Sequence, residues 1–206
     1  MTNEELARIR SLKAYLKRNR RVSCQKYDCR CIGDFIYREI GGYIYVVLTS
    51  VTEPDSVTVR IWCKPLALDE LFWEVFDMKE SASKQPFSFH VNGAYTAGKL
   101  AIEKFDVPAD DTAKLYDLIL SEAVKLISGY SEKFRTPEDS KAAISERSGE
   151  SLNMILCEIL DSNFHEALFR IEECLDKNET GGYLRGSKSI LEYAREYCVR
   201  NLGKKY

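Results

Sequence analysis

The sequence has no run of the roughly eighteen consecutive apolar residues that a membrane-spanning helix needs. Its opening, Met-Thr-Asn-Glu-Glu, carries charge where a secretory leader would place an apolar stretch. A cytoplasmic setting with no membrane span is therefore expected. Histidine is scarce: His90 and His165 are the two imidazoles, which leaves little room for a Ser–His or Cys–His catalytic pair. There is no Cys-x2-Cys or His-x3-His spacing, so the cluster Cys24, Cys29 and Cys31 lacks the second half of a zinc motif and would need Cys63, His90 or His165 as its fourth ligand. No metal is expected there. Seven cysteines, an odd number spread over 206 residues, fit reduced thiols better than a disulfide framework. A true phosphate-binding loop is missing as well. Residues 181–189, GGYLRGSKS, place the lysine one position late and follow a helix rather than a strand. No cofactor is expected, and nothing sets two carboxylates as a glycosidase pair.

What is present describes a globular chain, 45% hydrophobic and 30% charged, whose net charge of −2 hides an asymmetry. Residues 1–30 carry nine basic and three acidic side chains, a net +6, and the remainder carries −8. Thr2 is placed to cap a first helix with Leu6, Ile9, Leu12 and Leu16 as its apolar stripe, ending near Asn19. Arg10, Lys13, Lys17 and Arg21 form an adjacent basic stripe. Docking on the acidic body or solvation accounts for this stripe better than nucleic acid, since no helix-turn-helix, zinc-finger or stacking motif accompanies it. The segment from Arg21 to Gly33 shows no regular pattern.

Strands follow. Phe35–Ile40 and Tyr43–Val51 are rich in Val, Ile and Tyr and are joined by Gly41-Gly42, a turn pair tolerant of positive φ. Pro54-Asp55 turns the chain into Val57–Cys63, and Tyr43–Val51 is apolar on both faces, as a central strand should be. Gln85–Asn92 and Lys99–Val107 alternate as a fourth and a fifth strand. Between them and the third strand, Leu68–Phe76 has helical spacing and Lys79–Lys84 reads as a polar loop. If Gln85–Asn92 lies beside Val57–Cys63, then Arg60, Trp62 and His90 share one open face fit for an anionic or aromatic ligand or a protein partner.

From Asp110 the apolar period becomes helical to the end, with starts expected at Asp110 or Asp111, at Thr136-Pro137 and at Ser187. The expected architecture is α+β: an N-terminal helix packed on an antiparallel sheet of four to five strands in residues 1–108, then a helical region in 109–206.

The opening helix with its basic end, the strand Phe35-x-Tyr37-Arg38, the aliphatic strand after it and the later Trp-bearing strand resemble certain uncharacterised bacterial α+β domains over residues 5–65. The resemblance implies a bacterial cytoplasmic setting and a fold, without an activity. The leading expectation is a non-catalytic protein-binding or regulatory module, antitoxin- or immunity-like, rather than an enzyme. One alternative is a small-molecule-binding protein or small enzyme with a pocket between sheet and helices; another is nucleic-acid binding through the first helix.

Overall fold

Thr2 starts the first helix, α1 (Asn3–Lys26), by a reciprocal cap: its hydroxyl accepts from the Glu5 amide and the Glu5 carboxylate accepts from the Thr2 amide. This computed structural model describes residues 1–82, 98–107, 112–134, 139 and 151–203. The helix does not stop near Asn19. Arg20 and Cys24 continue the buried stripe of Ile9, Leu12 and Leu16 at intervals of four, so burial carries α1 two turns further. It ends where Asp28 takes the left-handed conformation at φ 52°, with the Cys29 amide bonding back to the Cys24 carbonyl at 2.9 Å. The irregular Arg21–Gly33 stretch is thus the end of α1, a turn, and a three-residue strand, β1 (Arg30–Ile32).

β2 (Phe35–Ile40), β3 (Tyr43–Glu53), β4 (Ser56–Pro65) and a later strand, β5 (Gly98–Asp106), complete a five-stranded sheet in the order β1-β2-β3-β4-β5. The Gly41-Gly42 turn has φ of 59° and 78°, the backbone that a two-residue hairpin requires. Pairing of β2 with β3 runs from Ile40↔Tyr43 to Phe35↔Leu48, and β4 pairs antiparallel with β5 through a bulge at Ile61/Trp62. Gln85–Asn92 lies outside the described residues. The fifth expected strand is β5, one residue longer at its start and one shorter at its end.

The chain forms two compact units that interleave along the sequence. One is Met1–Cys63 with Gly98–Arg135; the other is Lys64–Ala97 with Thr136–Tyr206. The expected division was 1–108 and 109–206. In the first unit, α4 (Thr112–Ser131) packs against α1: the Lys26 ammonium pairs with Asp117, and the Tyr27 hydroxyl donates to the Asp117 carbonyl at 3.0 Å. The Tyr130 hydroxyl donates to the Leu100 carbonyl at 3.2 Å, and Phe134 stacks on Tyr43 with ring centres 6.1 Å apart. Val46 and Val47 are both buried, which confirms a central strand covered on each face.

The second unit is built on α2 (Leu66–Val75), followed by the short α3 (Lys79–Ala82) where a polar loop was expected. It continues with α5 (Ser151–Leu160), α6 (Phe164–Asp176) and α7 (Ile190–Leu202). Leu68, Phe72, Trp73, Ile155, Leu156, Ile171, Leu191 and Ala194 form its core. Within this core lies an ion pair, Lys64 with Asp69, exposed by 0% and 1%. Between α6 and α7 the expected all-helical pattern is broken by a small hairpin, β6 (Leu184–Arg185) and β7 (Lys188–Ser189). Its approach requires glycine at 181: φ is +70°, and a Cβ there would meet the Ile190 side chain at 2.7 Å. Ser189, rather than Ser187, caps α7, exchanging hydrogen bonds with Glu192. The expected helix start at Thr136-Pro137 falls outside the described residues.

Candidate functional site

The site follows from a mismatch of strand lengths in the first unit. β2 begins at Phe35, opposite Leu48, while β3 runs on to Glu53. Among the described residues, Thr49–Glu53 therefore has β4 on one side and no strand on the other. α1 runs alongside that uncovered edge. Arg8 holds Asp55, in the β3–β4 turn, at 2.8 Å, and twelve residues later Arg20 holds Asp34, in the β1–β2 turn, at 2.9 Å. These two ion pairs fix the helix antiparallel to β3. Between them lies a groove of about 500 Å³, walled by Lys13, Leu16, Lys17 and Arg20 on the helix, Thr49, Ser50, Val51 and Thr52 on the strand, and Asp34 at one end.

Arg20 forms the floor. It is 8% exposed, donates to the Gly33 carbonyl and to Asp34, and leaves its Nε without a hydrogen-bond partner. Burial works against its charge, but Tyr116 and Asp34 more than offset it, and the guanidinium is held above its ordinary value. Tyr116, buried beside Arg20 and Thr49, is pushed up by desolvation against the pull of that cation. The rim differs. Lys13 and Lys17 are exposed and form no ion pair among the described residues. With three basic groups against one carboxylate, the lining is net +2. Val51 and the stem of Leu16 make the interior apolar, and three hydroxyls line the strand wall.

The residues expected from the sequence distribute unevenly. Lys13 and Lys17 of the basic stripe face the groove, whereas Arg10 and Arg21 are exposed on α1 outside it. Arg60 reaches the site indirectly, donating to the Ser50 hydroxyl at 2.9 Å. Trp62 is half-buried on β4 opposite Lys99 of β5 and does not line the groove. His90 lies outside the described residues; β4, where the Arg60/Trp62 face lies, is flanked by β3 and β5. Arg20, Asp34 and Thr49–Thr52 were not anticipated. For Arg20 a signal existed, since it lies midway between Leu16 and Cys24 on the apolar stripe.

Other candidates are occupied or unsuited. Among the described residues no group of His, Cys, Asp and Glu is arranged to hold a metal. Cys24 sits beside Cys31 and Cys29 and is pushed up to about 12, chiefly by burial. Cys63 is likewise raised to about 12 by desolvation. Such thiols are neutral at pH 7 and poor nucleophiles. Lys188, of the phosphate-loop likeness, pairs with Glu196 at 2.5 Å and lies 4.0 Å over the Tyr193 ring. His165 is exposed on the first turn of α6.

Fold and groove together define an α+β protein with an N-terminal helix, a five-stranded antiparallel sheet, further helices and a cationic groove in the first of two units. No protein-family model, curated protein or solved structure matches the chain. Nothing in the fold runs against the likeness of residues 5–65 to uncharacterised α+β domains. Among the described residues no helix is long and apolar enough to cross a membrane.

Proposed function

We propose that the protein is a non-catalytic binding module whose first unit seats an anionic partner in the α1–β3 groove, in a cytoplasmic regulatory role of the antitoxin or immunity kind. The observation that carries this reading is the pair of cations Lys13 and Lys17, which form no ion pair among the described residues, beside a buried Arg20 whose Nε has no hydrogen-bond partner among them. Surface lysines usually cost little to leave solvated. Two of them beside a buried guanidinium, in a concave site, instead create a local field that raises the concentration of an anion. Catalysis finds less support, because among the described residues no imidazole and no thiol lines the groove.

Two-dimensional amide NMR tests the reading, with inorganic phosphate, an acidic peptide and single-stranded DNA as probes at low salt. At least one should shift the signals of Thr49–Thr52 and α1, and the variant Lys13→Glu/Lys17→Glu should lose those shifts with its other signals unchanged. If none of the three probes moves the groove, the reading fails. A small anionic molecule is the second reading, favoured by a volume within the range of ligand pockets. Nucleic acid is less suited, since among the described residues no aromatic ring lines the groove to stack a base.

A further inference from the structure

Resting on the anion-binding reading, we propose that the partner is an acidic polypeptide segment that binds in extended form, adding a strand along the open Thr49–Thr52 edge of β3 and placing alternate carboxylates on Lys13 and Lys17.

Three features of the groove converge on this occupant. The first is the edge itself. Beyond Leu48 no strand among the described residues covers the outer side of β3, so by the alternation of the strand every other backbone amide and carbonyl of residues 49–53 points away from β4, outside any ladder those residues form. Sheet edges of this kind are usually blunted by charge, proline or a bulge in the strand. Here the edge residues are Thr49, Ser50, Val51 and Thr52, all neutral and three of them β-branched, which is an edge suited to pairing. Extended peptides recognise such edges through the main chain and use side chains for selectivity.

The second is length. Lys13 to Arg20 rises about 10.5 Å along α1, and Thr49 to Thr52 spans about 10 Å of strand. The two walls therefore run side by side over the same distance, held by the Arg8–Asp55 and Arg20–Asp34 pairs. A segment of four or five residues fills this length.

The third is charge spacing. Lys13 and Lys17 are separated by about 6 Å of helix rise. Side chains at positions i and i+2 of a strand point the same way and lie about 6.6 Å apart. A segment of the form acidic-x-acidic thus matches the two lysines on one face, with its intervening residue turned to the opposite face. A compact anion such as phosphate meets one lysine and makes no use of the edge.

Peptide chemistry tests this without altering the protein's fold. The probe is a capped pentapeptide, Thr-Glu-Val-Glu-Val, titrated into the whole protein by NMR and calorimetry. Two N-methylated versions, one blocking residues 2 and 4 and one blocking residue 3, keep its charge and remove alternate main-chain donors. The parent should bind and shift Thr49–Thr52, one methylation register should weaken it at least tenfold, and Lys13→Ala/Lys17→Ala should weaken it similarly. If neither register changes the affinity, strand addition is overturned while anion binding stands. Binding of phosphate or single-stranded DNA without the peptide also overturns the inference and leaves the anionic reading intact. Silence of the groove toward all three defeats both.

Discussion

Lys64 and Asp69 show how a single pair ties sequence to stability. Burial drives the Lys64 ammonium below its ordinary value, and the nearby carboxylate pulls it back only in part. The pair is buried beside an apolar core, where removing one partner takes from the other charge the ion pair that offsets its burial. Lys64→Met should therefore lower stability by about 3–5 kcal/mol, whereas Lys64→Met with Asp69→Leu should recover most of the loss. Urea unfolding of the three proteins measures this, and a single variant within about 1 kcal/mol of the parent would contradict it. Each residue was legible in the sequence, Lys64 at the end of a strand and Asp69 at the start of a helix. Their pairing was not, because it depends on how closely the chain turns between them.

Helix endings set the limits of legibility at the scale of elements. Starts carried ordinary signals: Thr2 caps α1 as expected, while at α7 the expected cap Ser187 gives way to Ser189, two residues on, paired with Glu192. Ends were hidden, because four of them use a non-glycine residue in the left-handed region: Asp28, Asp77, Ser162 and Asn178, with φ from 52° to 61°. In each case the next amide bonds back into the helix, as Asn163 does to the Glu158 carbonyl at 2.8 Å. A reader looking for glycine stops α1 too early and loses β1 with it. Ser162 has no amide side chain of the kind that eases this conformation, so Ser162→Gly should stabilise the second unit by about 1 kcal/mol. Thermal unfolding would show a raised midpoint. No gain there would mean that the extra unfolded-chain entropy that glycine brings cancels the relief of strain. β2, β3, β4 and β5 were legible because their alternation and turns are local, whereas the short β1, β6 and β7 were not. The groove was not, because it exists only where the β2 register ends, and no local pattern encodes that.

The interleaving of the two units decides what can be cut. A chain ending at residue 108 keeps the whole sheet but loses α4, which supplies Leu115, Tyr116 and Ile119 to the first core, and it strands α2 without α5, α6 and α7. Neither 1–108 nor 109–206 should fold alone. Both should give poorly dispersed NMR spectra, and a cooperative transition in either would show that its unit needs less than the compact division contains. Composition marked a change of period near Asp110 and so suggested a boundary there. Period reports the type of element, not its neighbours, and α2 is a helix of the second unit embedded in the strand-rich half of the sequence. The charge asymmetry was legible at this scale too. Lys13 and Lys17, from the basic opening, are the cations that the groove presents.

The gap between β4 and β5 has a consequence for synthesis. β4 ends at Pro65 and its partner strand is complete only at Asp106, so 41 further residues must leave the ribosome before that side of β4 is paired. At ordinary rates of translation the wait is about 2–8 s. During it, the nascent chain displays a ten-residue strand with one unsatisfied side, the window in which a chaperone or another nascent copy would meet it first.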